Sequence, residues 1–182
     1  MTHTATETLA RCSECGRETE RAALREVDGQ PVCTRCLFGD AAPLQVWPIG
    51  IVRNQLAREG RGVAIGRDLR SEIHLVPGMT RFLRGVAEET SLTVIWWAHA
   101  AGGLETAFER GLDRKVVGPF AARTPARPNP LAISEVTLVE VRGPVLVVSG
   151  LDAIDGTPVI DLKVGRESIA RALGDAPKLE RR

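Results

Sequence analysis

Four cysteines near the start of the chain have the types and spacing of a metal site. They form two Cys-x-x-Cys pairs, Cys12 with Cys15 and Cys33 with Cys36, which are separated by 17 residues. The thiolates of one pair can turn onto a single ion, and two pairs complete a tetrahedral cage of the kind that holds Zn²⁺. Because cysteine fills all four positions, no position stays open for water. The pattern therefore predicts a structural zinc site.

Disulfide bonds or a redox Cys-x-x-Cys are the alternatives for these cysteines. The first residues, MTHTATETLARC, contain no apolar signal segment, and the sequence has no run of 18 apolar residues. We therefore expect a cytoplasmic protein without a membrane span, in a reducing compartment that disfavours disulfides. Gly16 after the first pair and the Asp28-Gly29 turn before the second are typical of a zinc ribbon.

Residues 1–42 form the predicted zinc-ribbon module and its linker. They carry five arginines and seven acidic residues, a net charge of −2. Phosphate binding requires the opposite sign. We therefore expect this module to bind an unidentified protein partner or to stabilise the chain.

A proline-rich stretch, residues 118–131, is the first of two dense polar segments. Three prolines within six residues stiffen its backbone. Arg123 and Arg127 are suited to a carboxylate or a phosphate, and Asn129, held between Pro128 and Pro130, to an amide or an adenine edge. A rigid surface turn with solvated arginines is the alternative.

The second polar segment, residues 150–163, contains a tight Asp155-Gly156 turn to which Thr157 can bond back. Asp152 and Asp155 are suited to ribose hydroxyls or an ammonium group. Plain turn chemistry is the alternative. The aspartates lack the ligand spacing of a calcium loop.

Four further residues are candidates for a substrate site. Arg53 ends a strand from which it can reach a pocket, although a solvated arginine is equally consistent. His99 ends an apolar strand, where a packed structural histidine is the commoner case. Asp161 and Lys163 share one strand face, as a local ion pair or as substrate contacts.

Strands dominate the elements that must position these residues. A short strand is predicted at 46–52, where Pro48 breaks it or places it at a sheet edge. Further strands are predicted at 72–76, 92–98, 135–141, 145–148 and 159–162, and helical segments at 80–89, 104–112 and 166–173. Trp96 and Trp97 are adjacent, so they face opposite sides of their strand. The sequence lacks strand–helix alternation and a G-x-G-x-x-G after a strand. These absences argue against a doubly wound sheet and favour a mainly β, antiparallel barrel or sandwich.

Composition limits the class of protein further. The chain has 182 residues, of which 43% are hydrophobic, and a net charge of +1. This balance excludes a strongly basic nucleic-acid binder, and seven aromatic residues without tyrosine disfavour a base-stacking platform. We predict a module at 1–42, a barrel domain at 43–165 and a C-terminal helix and tail at 166–182.

Both polar segments resemble the motifs of a known family. FAARTPARPNPLAIS (residues 120–134) is similar to FATRSPxRPNPIGLS, and LDAIDGTPVIDLK (151–163) to LDxxDGTPVLDIK, the motifs of the TsaA-like family of TrmO tRNA methyltransferases. PIGIVRN (48–54) and LTVIWWAH (92–99) extend the resemblance over residues 45–163.

The resemblance implies a small non-Rossmann β-barrel that binds S-adenosylmethionine. It implies a homodimer, with the donor near the subunit interface, and methylation of the exocyclic amine of threonylcarbamoyladenosine in tRNA. The expected donor-binding residues are Arg123, Arg127, Pro128, Asn129, Pro130, Leu131, Leu151, Asp152, Asp155, Gly156 and Thr157.

The sequence leaves three functions open. Residues 56–62 lack the Pro-Arg-Gln segment of the tRNA-modifying members, so a small-molecule acceptor and a non-catalytic donor-binding module stand beside the tRNA enzyme. Methyl transfer from a sulfonium requires alignment and loss of water more than acid–base groups. The sequence therefore assigns no catalytic residue.

Overall fold

The computed structural model describes residues 9–56 and 69–174 of the chain. The segment 56–62, which departs from the family pattern, lies almost wholly outside the described residues. The strands and helices are β1 (Leu9–Arg11), β2 (Glu18–Glu20), β3 (Leu24–Val27), β4 (Gln30–Cys33), α1 (Thr34–Phe38), β5 (Gly50–Arg53), β6 (Arg70–Leu75), β7 (Ser91–Trp97), β8 (Phe108–Glu109), β9 (Val116–Val117), β10 (Leu131–Arg142), β11 (Val145–Ser149), β12 (Pro158–Val164) and α2 (Arg166–Gly174). Short 3₁₀ turns occur at Arg21–Ala23, Pro77–Phe82, Val86–Glu88 and Pro119–Ala121.

The chain divides into two compact units. The first contains Met1–Gln45 and Ala101–Asn129, and the second contains Val46–Ala100 and Pro130–Arg182. The structure thus groups residues 101–129 with the N-terminal segment, a grouping that the sequence did not indicate. The boundaries 1–42, 43–165 and 166–182 stay predictions about which parts fold independently.

The first unit consists of small hairpins. β1 pairs antiparallel with β2, β3 with β4, and β8 with β9. Asp28 and Gly29 form the β3–β4 turn with φ of 48° and 74°, a conformation that suits Asp and Gly. The small core at the cysteines consists of Cys12, Val32 and Cys33 with Leu24, Val27 and Leu37.

The second unit is a closed antiparallel barrel with strand order β10-β11-β6-β5-β12-β7. Inward side chains alternate along the strands and fill the interior, because successive residues of a strand point to opposite faces. The buried core consists of Val52, Ile73, Leu75, Leu92, Val94, Val136, Leu146, Val148, Leu151, Ala153 and Val159. The prediction of a mainly β protein with a small antiparallel barrel is confirmed.

Gly50 allows the first barrel strand to lie tightly against its neighbour. A Cβ at this position would lie 2.5 Å from the His74 carbonyl oxygen and 2.9 Å from Leu75 Cα. Only glycine fits such a close backbone approach without a shift. Gly50 therefore fixes where β5 and β6 meet.

Several predicted elements are confirmed and three are corrected. The 135–148 hairpin, the buried strand near 92–98 and the C-terminal helix are present. The strand predicted at 46–52 begins only at Gly50, since Pro48 cannot donate to a ladder. The helix predicted at 80–89 is two 3₁₀ turns, separated at Gly85 with φ of 81°. The helix predicted at 104–112 is a loop followed by β8, because Phe108 pairs with Val117.

Among the described residues no helix is long and apolar enough to cross a membrane.

Candidate functional site

The four cysteines of the first unit meet in one cluster. Their sulfur atoms all lie within 4.8 Å of one another, and the Cys12–Cys36 and Cys15–Cys33 sulfur pairs are each 3.9 Å apart. A tetrahedral zinc ion with bonds of about 2.3 Å sets its sulfurs about 3.8 Å apart. The donor set and its spacing therefore fit zinc.

The surroundings of the cluster already favour thiolate at one position. Backbone hydrogen bonds, those of Cys15 first and Cys33 next, lower the pKa of Cys12 to about 6. The Cys33 amide donates to the Cys12 sulfur at 3.3 Å. Hydrogen bonding to Cys33 and desolvation raise the pKa of Cys36. A divalent cation would supply the charge that allows all four sulfurs to be thiolates.

In the second unit, the turn that carries Asp155 is bonded to the end of β5. The Gly156 amide donates to the Val52 carbonyl at 2.9 Å, and the Val52 amide to the Thr157 carbonyl at 2.9 Å. Asp155 Oδ1 accepts from the backbone amide of Asn54 at 3.1 Å, and Asp155 Oδ2 accepts from the Arg53 guanidinium at 3.4 Å. The predicted residues Arg53 and Asp155 are thus brought together.

Asn54, which follows β5 and is bonded to this turn, is a residue that sequence reasoning missed. Its Nδ2 donates to Ser71 Oγ at 2.9 Å and to the Ala153 carbonyl at 2.8 Å, and its Oδ1 accepts from the Leu56 amide at 3.0 Å. The side-chain amide of Asn54 thereby connects the end of β5, β6 and the loop before Asp155. Its position in the family-like stretch PIGIVRN was the available signal.

The other predicted donor residues of this turn differ in accessibility. Asp152 and Asp155 are exposed and Gly156 is half-buried. Leu151 and Thr157 are fully buried, and Thr157 Oγ1 has no hydrogen-bond partner among the described residues. The two exposed carboxylates are the groups here that can meet a ligand directly, while Leu151 and Thr157 shape the turn beneath them.

An open cleft of about 620 Å³ lies beside Asn54 on the outside of the barrel. Glu72 on its wall accepts from His74 and from Arg142, both at 2.7 Å, and these donors, His74 first, lower the pKa of Glu72. None of the predicted donor-binding residues lines this cleft. The Glu72 carboxylate of this cleft is already paired, and the donor site at the two motifs stays a prediction.

The proline-rich motif begins in the first unit, where Arg127 organises the loop. Its Nη1 donates to the Pro119 carbonyl at 2.8 Å and to the Ala122 carbonyl at 2.9 Å. The guanidinium also lies over the Phe120 ring, 5.7 Å from its centroid. Arg127 therefore folds this segment onto itself, a role that its sequence position did not indicate.

The remaining motif residues are placed as follows. Arg123 and Asn129 are exposed, and Pro128 is half-buried in the same unit. Pro130 and Leu131 belong to the second unit, where the Pro130 carbonyl accepts from the Ala98 amide at 2.8 Å and Leu131 opens β10.

The other predicted substrate residues lie on or after strands of the second unit. His99 is exposed. Lys163 donates to Asp161 at 2.6 Å, so the local ion pair forms. Trp96 packs on the barrel core and donates from its indole to Ser134 at 3.0 Å. A substrate role for His99, Asp161 and Lys163 stays a prediction.

Comparison with known proteins defines the class to which this barrel and its motifs belong. The family model described as the tRNA-methyltransferase O N-terminal domain matches residues 53–167, which include the barrel strands from β6 to β12 and both polar segments. The chain belongs to this family, as the resemblance of its motifs implied.

Relatives carry two kinds of description. A protein of Methanothermobacter thermautotrophicus described as a probable S-adenosyl-L-methionine-binding protein is 38% identical over 129 residues, which cover 69% of this chain and 93% of the relative. A mouse tRNA (adenine(37)-N6)-methyltransferase is 33% identical over 84 residues, which cover 44% of this chain and 20% of the mouse protein.

A crystal structure of TrmO from Pseudomonas aeruginosa is similar in fold. The TM-score is 0.56 at 28% identity, and the match covers 78% of this chain and 62% of that structure. The chain thus spans less than two thirds of the length of this solved relative.

Proposed function

We propose that this protein is an S-adenosylmethionine-dependent methyltransferase that methylates the exocyclic amine of threonylcarbamoyladenosine in tRNA. The observation that carries the proposal is the family match over residues 53–167, which spans most of the closed barrel and the Asp155 turn. Relatives described as S-adenosyl-L-methionine-binding and as a tRNA methyltransferase support the donor and the acceptor, respectively.

The exposed groups of the two motifs suit the chemistry of the donor. Carboxylates such as Asp152 and Asp155 can accept from ribose hydroxyls or from an ammonium group, and Arg123 can bind a carboxylate. Asn129 can bind an adenine edge. The hydrogen bond from the Asn54 backbone amide holds the Asp155 side chain in place before any ligand arrives. This limits the conformational entropy that is lost on binding.

The proposed reaction requires little from the protein beyond binding. S-adenosylmethionine supplies an activated methyl group, and the chain's residues hold the donor, orient the acceptor amine in line and exclude water. The described residues of the Asp155 turn include no histidine or lysine. This composition agrees with a reaction that depends on alignment.

The acceptor is tested by incubating the purified protein with methyl-labelled donor and either bulk tRNA or a small-molecule extract. We expect label in tRNA, in a nucleoside whose mass equals threonylcarbamoyladenosine plus one methyl group. Label in the small-molecule fraction alone would replace tRNA with a small acceptor. Donor binding without transfer to either would make the protein a binding module. The net charge of +1 motivates both alternatives.

We further propose that Cys12, Cys15, Cys33 and Cys36 hold one structural zinc ion per protomer. Sulfur spacing close to that of a tetrahedral thiolate site supports this. Metal analysis of the purified chain should find one zinc, and Cys33→Ser should lose it. Zinc-free protein with its cysteines paired as disulfides would contradict the proposal.

We also propose an assembly and a location for the protein. We propose a homodimer formed through the outer face of β7 and β10, where Leu131 pairs with Trp97 and Ile133 with Ile95. Ile133 is 61% exposed and Leu131 44%. The acidic ribbon is available for a protein partner, and a tRNA acceptor implies a cytoplasmic location.

A further inference from the structure

The predicted zinc-ribbon module, residues 1–42, is called the cysteine module from here on. Its β3–β4 turn is hydrogen-bonded to residues 104–106, in the segment that leads into the proline-rich motif. Asp28 Oδ2 accepts from the Thr106 hydroxyl at 2.6 Å, and Oδ1 from the Thr106 amide at 2.9 Å. The Asp28 amide donates to the Leu104 carbonyl, and the Leu104 amide to the Glu26 carbonyl, both at 2.8 Å. Asp28 and Glu26 of the module are thus bonded to Leu104 and Thr106 of the segment.

Further contacts connect residues 104–106 to the proline-rich motif. A Cβ at Gly118 would lie 3.2 Å from the Thr106 carbonyl oxygen, so the two backbones are in close contact. β8 pairs with β9 between them. Arg127 then binds the carbonyls of Pro119 and Ala122, directly beyond Gly118. A continuous series of contacts within the first unit therefore runs from Asp28 to Arg127.

Asp28 accepts both hydrogen bonds from Thr106 as a carboxylate. The hydrogen bond from the Thr106 hydroxyl, and next that from its amide, lower the pKa of Asp28. The turn and Cys33 belong to the same hairpin, in which the pairs Val27–Gln30 next to the turn and Leu24–Cys33 at the far end are joined by one continuous ladder. The few side chains of this small core cannot hold a hairpin alone, so we expect it to depend on the metal.

We propose that Asp28 is a positioning residue for the methyl donor: the cysteine module holds the segment 104–122 through Asp28, and that segment holds the Arg127 loop in its donor-binding form. The inference rests on the proposed function, because it concerns affinity for S-adenosylmethionine. It gives the cysteine module a role in donor binding that does not require contact with the donor.

The test compares three substitutions that separate the tie from the turn. Asp28→Gly keeps the positive φ of the turn and removes both carboxylate acceptors. Asp28→Asn tolerates the same φ and keeps one side-chain oxygen that can accept from Thr106. Thr106→Val removes the hydroxyl donor and keeps the amide. Asp40→Asn is the matched control, since Asp40 pairs with Arg35 at an exposed site of the same module.

We expect Asp28→Gly to raise the dissociation constant for S-adenosylmethionine roughly tenfold, with zinc content unchanged. Thr106→Val should raise it less, Asp28→Asn should recover most of the affinity, and Asp40→Asn should match the wild type. In turnover assays the loss should fall on KM for the donor, with kcat at saturating donor unchanged. Without donor, amides of residues 104–122 should exchange faster in Asp28→Gly.

Two results would overturn the inference, and they are distinguishable. Wild-type affinity and wild-type exchange rates in Asp28→Gly would refute the positioning role and leave the proposed function intact. A wild-type protein that binds no donor would refute the proposed function and this inference with it.

Discussion

Asp155 shows how one residue serves both structure and ligand binding. Its Oδ1 accepts from the Asn54 amide, while Oδ2 faces Arg53 at the longer distance of 3.4 Å. The first bond needs only an acceptor oxygen, whereas binding of an ammonium group or ribose hydroxyls is strongest with a full carboxylate. Asparagine and alanine at this position therefore have different consequences.

We expect Asp155→Ala to weaken donor binding by roughly 30- to 150-fold, the cost of about one charged hydrogen bond in a binding site. Asp155→Asn should keep the melting temperature of the wild type yet lose most of that affinity. Calorimetric titration with the donor and thermal denaturation check both. Unchanged affinity in both variants, beside an unaffected Glu167→Gln control, would remove Asp155 from the site.

Among single residues, those whose spacing alone defines a site are predictable from the sequence. The four cysteines are of this kind, because the local chain between the two Cys-x-x-Cys pairs is sufficient to bring their sulfur atoms together. Asn54 is not, since its partners Ser71 and Ala153 lie 17 and 99 positions away. Arg127 has the residue type of an anion ligand, and only the structure reveals the two backbone carbonyls that it binds.

The C-terminal helix α2 is held on the barrel by a buried serine. Ser168 Oγ accepts from the amides of Thr90 and Ser91, each at 3.0 Å, and the Ser168 amide donates to Ser91 Oγ at 3.0 Å. Glu135 accepts from the Arg166 amide at 3.1 Å and from Thr93, and this side-chain bond from Thr93 is the main cause that lowers the pKa of Glu135. Hydrogen bonds thus hold α2 against the start of β7.

Ser168→Ala should destabilise the protein by about 2 kcal/mol, because it leaves two amides at the start of β7 without their acceptor. Denaturant unfolding measures the difference in free energy. Glu167→Ala, an exposed position of the same helix, should change it by less than about 0.5 kcal/mol. Equal stabilities for the two variants would show that α2 does not depend on this contact.

Elements with a strong local pattern are predictable, and those defined by distant partners are not. The β10–β11 hairpin follows from alternation around Arg142-Gly143-Pro144. Residues 104–112 have helical spacing, yet Leu104 bridges to Val27 and Phe108 pairs with Val117. Leu83, which follows the first 3₁₀ turn, and Val86, which begins the second, pack against the barrel core.

For the whole molecule, the sequence predicts the class of fold, and the barrel confirms it. The strand count and the lack of strand–helix alternation were sufficient for an antiparallel β protein. The grouping of residues 101–129 with the cysteine module was not predictable, because it joins residues far apart in the chain, such as Asp28 and Thr106, which are 78 positions apart.

Ile133→Asp should convert the proposed dimer to a monomer in sedimentation at micromolar concentration. Ile133 points outward from β10 beside Ile95, so a charge there would be buried without a partner in an interface but solvated in a monomer. The barrel should keep its melting behaviour apart from the loss of dimer stabilisation. Val76→Asp, at an exposed apolar position that follows β6 and lies outside β7 and β10, is the control. A wild-type protein that sediments as a monomer would contradict the assembly.

Equilibrium binding of S-adenosylmethionine to the zinc-loaded wild-type chain is the most direct test of the proposed function, because tRNA methylation, small-molecule methylation and a pure binding role all begin with donor binding. Isothermal titration calorimetry should show saturable binding of one donor per protomer, weakened by Asp155→Ala. A folded, zinc-loaded protein that binds no donor would contradict the proposal. The protein would then be a zinc-bearing barrel without the methyl-transfer function of its family.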